Sequence, residues 1–314
     1  MTESSARKSG GTGVSGILLV DKPGGMTSHD VVSRTRRLAA TRKVGHAGTL
    51  DPMATGLLIL GVNSATRLLT FVVGLDKEYL ATIRLGTSTT TDDREGDLID
   101  TAPQGAVDEL DSARIDAGVA RLTGEIEQVP SAVSAIKVDG KRAYALVRAG
   151  EKVELASRAV TVSEFEITER RRVDGFLDLD VRVVCSSGTY IRALARDLGA
   201  SLGVFGHLTA LRRTRIGPFG LTDARALDEL DVASALLPSA TVATRLFSSA
   251  HLDDQAALDL THGKRIPLDM PDTSPVAALA PDGRLVALVE VQGGRARTLV
   301  GFPPDSPPEA GKSS

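Results

Sequence analysis

Cysteine is almost missing from this chain. Cys185 is the single one in 314 residues, which excludes an internal disulfide and a cysteine-based zinc cluster. Tryptophan is absent and aromatics reach only 3%. The core must therefore come from Leu, Val, Ile and Ala, and an apolar content of 42% is enough for a large one plus a smaller one. No apolar run approaches the ~18 residues of a membrane-spanning helix. The opening MTESSARKSGGTGVSG lacks the apolar stretch of a secretory leader. A cytoplasmic protein with no membrane partner is expected.

Net charge is small as well, at −3, which by itself disfavours a polyanionic partner. The charge is uneven, however. Arg34, Arg36, Arg37, Arg42 and Lys43 form one basic group, and Arg212, Arg213 and Arg215 form another. Acids gather in TDDREGDLID (91–100) and DARALDELD (223–231). Local basic patches decide phosphate binding more than the global sum does, although many short basic runs are only solvated helix faces.

Cofactor motifs are lacking too. GGTGVSG (10–16) precedes a strand and no Gly-Lys-Ser/Thr follows it, so it is no P-loop. The histidines (His29, His46, His207, His251 and His262) show no metal-ligand spacing. No G-x-S-x-G marks a nucleophilic serine. No cofactor and no metal are expected.

What is present is organised around GHAGTLDPMATGLL (45–58). Gly45, Gly48 and Gly56 surround one acid, Asp51, with Pro52 behind it. Glycine serves where backbone must turn or come close, and proline biases the residue before it toward an extended shape. A stiff loop presenting one carboxylate is the result. An Asp before Pro is by itself an ordinary turn former.

Around this loop, ILLVDKP (17–23) reads as a strand and GGMTSHDVVSRTRRLAAT as a helix with Ser28 as N-cap and Asp30 in the first turn. FLDLDVRVVC (176–185) alternates as a half-buried strand. TYIRALARDLGASLG continues into a helix, placing Tyr190 and Arg192 at the strand-to-helix junction. Residues 125–155 read as a basic, glycine-containing excursion. Strand runs joined by Pro-Asp-Gly and Gly-Gly turns predict a small all-β domain at 246–303. Residues 1–15 and 304–314 are expected to be disordered. Each of the three tyrosines, Tyr79, Tyr144 and Tyr190, has a cation within a few positions: Lys77, Lys141 with Arg142, and Arg192. That pairing suits base stacking beside phosphate contacts, although strand-edge tyrosines often have polar neighbours.

GHAGTLDPMATG closely resembles the catalytic motif of the TruB family of pseudouridine synthases. VDKPGGMTSHDVV (20–32), KEYLATIRLG (77–86), CSSGTYIRALARDLG (185–199) and HLTALRRTRIG (207–217) are similar to four further motifs of that family, in order. Ala47 and Met53-Ala54 resemble the standalone bacterial branch more than the guide-RNA-directed one. Ser131 and Val133 depart from the proline and tyrosine pattern common in the excursion.

The resemblance implies an α/β fold of the α+β kind with a central mixed, largely antiparallel sheet. Residues 16–243 would form the catalytic domain, 125–155 a thumb-like RNA-binding excursion, and 246–303 a PUA-like domain. It further implies isomerisation of uridine-55 in the TΨC loop of tRNA. In that reading Asp51 is nucleophile or base, Arg192 its ion partner, and Tyr79 stacks on the target base. His46, Tyr190, Leu211, Gly45, Gly48, Arg212 and Arg213 would bind substrate. Lys22 and Pro23 would brace the loop. The partner implied is the TΨC stem-loop, met by a monomer with no obligate protein partner. The rival readings are a non-catalytic RNA-binding or tRNA-folding protein and, more remotely, a glycosidase-like hydrolase, which would ordinarily need a second carboxylate.

Overall fold

The computed structural model describes residues 13–131, 137–138, 141–142 and 155–305. The chain forms two compact units: Met1–Asp51, Leu57–Val73 and Leu221–Ser314 make one, and Pro52–Gly56 with Gly74–Gly220 make the other.

In the first unit, β1 (Gly16–Lys22) is buried along nearly its whole length and α1 (Ser28–Leu38) follows it. The sequence placed the N-cap at Ser28. The structure moves it to Thr27, whose side chain accepts from the Asp30 amide while the Asp30 carboxylate accepts from Thr27. This reciprocal capping box satisfies two otherwise unpaired donors and leaves the Ser28 hydroxyl available for another task. β2 (Val44–His46) pairs antiparallel with β3 (Thr55–Val62), and β1 pairs in parallel with Arg225–Ala226. Leu18, Val20, Val31, Leu58, Leu60 and Leu227 close a core between these elements.

The same unit carries a five-stranded sheet ordered Ser249–His251, Thr273–Leu279, Leu285–Gln292, Arg295–Gly301, Ile266–Pro267. The expected turns at Pro-Asp-Gly and Gly-Gly join its long strands. A helix, Asp254–Thr261, also belongs here and buries Ala257 and Leu260 against Val276, Val286 and Val289. The region is thus a β-sheet with one helix on it rather than all-β, because Asp253 caps that helix.

The second unit is a sheet whose neighbouring strands run antiparallel. β4 (Lys77–Leu85) lies between β7 (Phe176–Cys185) and β8 (Gly206–Ile216); β7 pairs with the long β6 (Arg158–Val173), which pairs with β5 (Gly124–Gln128). Thr55 and Gly56, the first residues of β3, add a parallel contact to Arg212 and Arg213 of β8. The mixed, largely antiparallel α/β reading is borne out.

α2 (Ser112–Arg121) and α3 (Ile191–Leu202) complete this unit. α3 buries Ile191, Leu194, Leu198 and Leu202, the spacing read from the sequence. The face of β7 carrying its acids is covered as well: Asp178 is buried and takes two bonds of 2.7 Å from Arg84. Most of the 125–155 excursion, Val133 and Tyr144 included, lies outside the described residues.

Candidate active site

Between β2 and β3 the chain makes a long loop instead of a tight turn. Ala47 still donates to Ile59 at 2.9 Å. Gly48 then takes φ +91°, a conformation that an L side chain would strain. Next the loop is pinned: the Leu50 amide donates to the Ser28 hydroxyl at 2.9 Å, and that hydroxyl donates to the Leu50 carbonyl at 3.2 Å. The residue preceding Asp51 is therefore tied through both backbone groups to the first turn of α1. Asp51 is half-buried, with Pro52 fixed behind it.

Lys22, fully buried, donates to the carbonyls of Pro23 at 2.9 Å and Met26 at 2.6 Å. It shapes the turn that delivers Thr27 and Ser28 and so acts on the loop at one remove. His46 packs edge-on to His29 with ring centroids 5.6 Å apart. At Gly45 the tight neighbour is Leu69, 3.2 Å from where a Cβ would sit.

In the second unit, Tyr79 on β4 stands opposite Val183 of β7 and Arg213 of β8. It shares its buried strand face with Lys77, Ala81 and Ile83. The sequence grouped Arg212 and Arg213 as a basic cluster for RNA. The structure separates them, because alternation along β8 turns neighbours to opposite faces. Arg213 is 1% exposed, so its side chain belongs to the interior and not to a phosphate-facing surface. Its backbone meets Gly56, where a Cβ would lie 2.3 Å from the Arg213 oxygen. Arg212 is half-exposed and donates to the Thr55 hydroxyl at 3.1 Å.

A cleft of about 460 Å³ opens in this unit, lined by Met53, Thr55, Leu211, Arg212, Arg94 and Asp180 among others. Leu211 and Arg212 are thus brought together with the residues that follow Asp51 in the chain. Tyr79, Tyr190 and Arg192 do not line it. Bonds from Arg171 and then Thr82 hold the Asp180 carboxyl below the usual range.

Arg192, in the first turn of α3, is buried and donates to the Thr91 carbonyl at 2.6 Å, with Asp93 at 3.6 Å. One turn on, Arg196 reaches Asp92 at 3.3 Å and the Val129 carbonyl at 2.7 Å. The acidic stretch read as a separate feature is in fact bound to this helix. Asp93 is the residue that sequence reasoning missed; the turn-forming Asp-x-x-Gly at 93–96 was the one local signal for it.

Tyr190 is fixed by Gln128, fully buried, which accepts its amide at 2.8 Å and donates to its carbonyl at 3.1 Å. The cation over its ring is Arg158, 4.9 Å from the centroid, and not the nearby Arg192. A strand more than thirty positions away in sequence supplies it, which the local tyrosine–cation spacing could not reveal.

Among the described residues no three His, Cys, Asp or Glu side chains converge as a metal site, and no helix is long and apolar enough to cross a membrane.

Three family descriptions match the chain: TruB family pseudouridylate synthase (N terminal domain) over residues 36–191, tRNA pseudouridylate synthase B C-terminal domain over 192–248, and tRNA Pseudouridine synthase II, C terminal, over 247–303. The tRNA pseudouridine synthase B of Leifsonia xyli subsp. xyli is 62% identical, covering 93% of this chain and 97% of the relative. That of Nocardia farcinica is 58% identical over 90% of this chain and 91% of its own. Among solved structures, a Cbf5-Nop10-Gar1 complex matches with TM-score 0.67 at 26% identity, covering 92% of this chain and 85% of that one. An H/ACA RNP bound to a substrate RNA shares the fold at TM-score 0.67 and 24% identity, over 92% of this chain and 86% of the other. The chain belongs to the TruB family of pseudouridylate synthases.

Proposed function

We propose that this protein isomerises uridine-55 in the TΨC loop of tRNA, with Asp51 as the catalytic carboxylate. The observation that carries this reading is the clamp of Ser28 on both backbone groups of Leu50. It fixes the base of a half-buried acid instead of leaving it on a free turn. The relatives named tRNA pseudouridine synthase B support the substrate class.

In the reaction the C1′–N1 glycosidic bond breaks, the uracil rotates, and a C1′–C5 bond forms. The proton lost from C5 is balanced by one gained at N1, so no redox step occurs. Asp51 acts either by attacking the sugar carbon or by abstracting a sugar proton. The target must be everted from folded RNA, at a cost of a few kcal/mol. Stacking on Tyr79, worth roughly 1–3 kcal/mol, offsets part of that cost. Arg192 is read as the cation that pairs with Asp51 and aims it. Tyr190 and Leu211 line the base pocket in this reading, and His46 supports the loop. Gly48 lets the loop backbone fold close to RNA. The enzyme works as a cytoplasmic monomer without a protein partner.

The test is pseudouridine mapping by mass spectrometry in a tRNA transcript incubated with the purified protein and with Asp51→Asn. Conversion at position 55 by the wild type alone, with tRNA binding kept in the variant, is the expected result. Conversion by Asp51→Asn overturns the role of Asp51. Binding without conversion by the wild type leaves an RNA-binding protein instead.

A further inference from the structure

Arg94 occupies the corner of a turn in which the surrounding polar groups are engaged. The Asp93 carbonyl accepts from the Gly96 amide at 3.2 Å and from the Thr89 hydroxyl at 2.7 Å. The Asp93 carboxylate accepts from the Glu95 amide at 3.0 Å and the Thr91 hydroxyl at 2.7 Å, and it faces Arg192. The backbone of residue 94 is thereby held from both sides by one buried acid. The Arg94 side chain itself is exposed, lines the cleft, and makes no hydrogen bond or ion pair with the described residues.

The other charges lining that cleft are Arg212 and Asp180. Asp180 is already bound by Arg171 and Thr82, so it does not compete for a further cation. Arg212 is tied to Thr55, in the strand that follows the Asp51 loop. A guanidinium on a rigid backbone offers a planar fork of donors suited to phosphate oxygens, and little main-chain freedom is lost when it engages one.

We infer that Arg94 is a phosphate-binding residue, presented by the Asp93 turn to grip the RNA backbone in this cleft. The inference rests on the tRNA reading above and adds to it a specific contact. A phosphate bound there sits beside Thr55 and Arg212, and Asp93 then serves two ends, Arg192 on one side and the RNA-gripping turn on the other.

Arg94→Ala and Arg94→Lys, each in an Asp51→Asn background, are titrated with a tRNA transcript over a series of salt concentrations. Loss of one phosphate contact reduces the slope of log K against log[salt] by about 0.7–0.9. Arg94→Ala is expected to show that reduction with a three- to tenfold loss of affinity at low salt. Arg94→Lys is expected to keep the slope and regain most of the affinity. An alanine variant with unchanged slope and affinity makes Arg94 an ordinary solvated cation and overturns the inference. Binding is read without conversion, so the two failures are distinct. A wild type that binds tRNA but forms no pseudouridine sinks the catalytic reading alone, whereas one that binds no tRNA sinks both.

Discussion

Arg192 and Asp93 form a buried ion pair: the guanidinium lies 3.6 Å from the carboxylate, with 4% and 5% of the two side chains exposed. The acid belongs to a turn and the base to the first turn of a helix nearly a hundred residues later. Burial makes such a pair sensitive to loss of either partner. Losing one partner of a buried pair typically costs about 3–5 kcal/mol, and the bond from Arg192 to the Thr91 carbonyl softens that loss here.

Asp93→Asn keeps a side-chain oxygen for the Glu95 amide but removes the charge facing Arg192. Urea unfolding should report a loss near the lower end of that range, because 3.6 Å is looser than a direct hydrogen bond. Single-turnover pseudouridine formation should fall at least tenfold. Unchanged stability would show that the pair contributes nothing and that the turn stands on its backbone bonds.

Ser28→Ala tests the loop clamp. It leaves the amide and carbonyl of buried Leu50 without the hydroxyl that serves both. The expected cost is about 1–3 kcal/mol, read from the denaturation midpoint. The rate at saturating tRNA should drop more than the affinity, since the residue loosened is the one before Asp51. A variant with full rate would show that Asp51 is held by other contacts.

Lys77 and Cys185 are direct cross-strand partners, and their titrations oppose one another. Burial, and then the nearby Arg213, bring Lys77 down to about 8 from 10.5. Between those values the unfolded chain holds a proton that the folded one has released, so stability rises with pH. Burial pushes the Cys185 thiol up to about 11 from 9.0. Between these values the unfolded chain has lost a proton that the folded one keeps, so stability falls. The rise should therefore show between about pH 8 and 9 and be blunted above it. Relative to wild type, Lys77→Met should lack the rise and lose stability above pH 9, and Cys185→Ala should go on rising to pH 10.5, as measured by urea midpoints at pH 7.5, 9 and 10.5. Parallel profiles in all three proteins would refute the assignment.

Much of the site was legible because it is local. The run 45–58 announces a loop through its glycines and its Asp-Pro, and strand and helix periods near 176–202 put Arg192 at a junction. Ser28 was noticed for the wrong duty. Its residue type fits an N-cap, and only the position of Leu50 shows that Thr27 caps the helix while Ser28 holds the loop. Arg213 looked like surface charge in LRRTR, since a sequence does not say which face of an irregular strand is covered.

By itself, then, the amino-acid order determined most of the elements, the family motifs and the acid proposed for catalysis, all of which depend on neighbours a few positions apart. Tertiary structure alone decided that Asp93 meets Arg192, that Arg158 covers Tyr190, and that Arg213 goes inward. The reason is physical: periodicity and turn chemistry act along the chain, whereas ion pairing, ring contacts and burial act through space between strands and helices that sequence distance keeps apart.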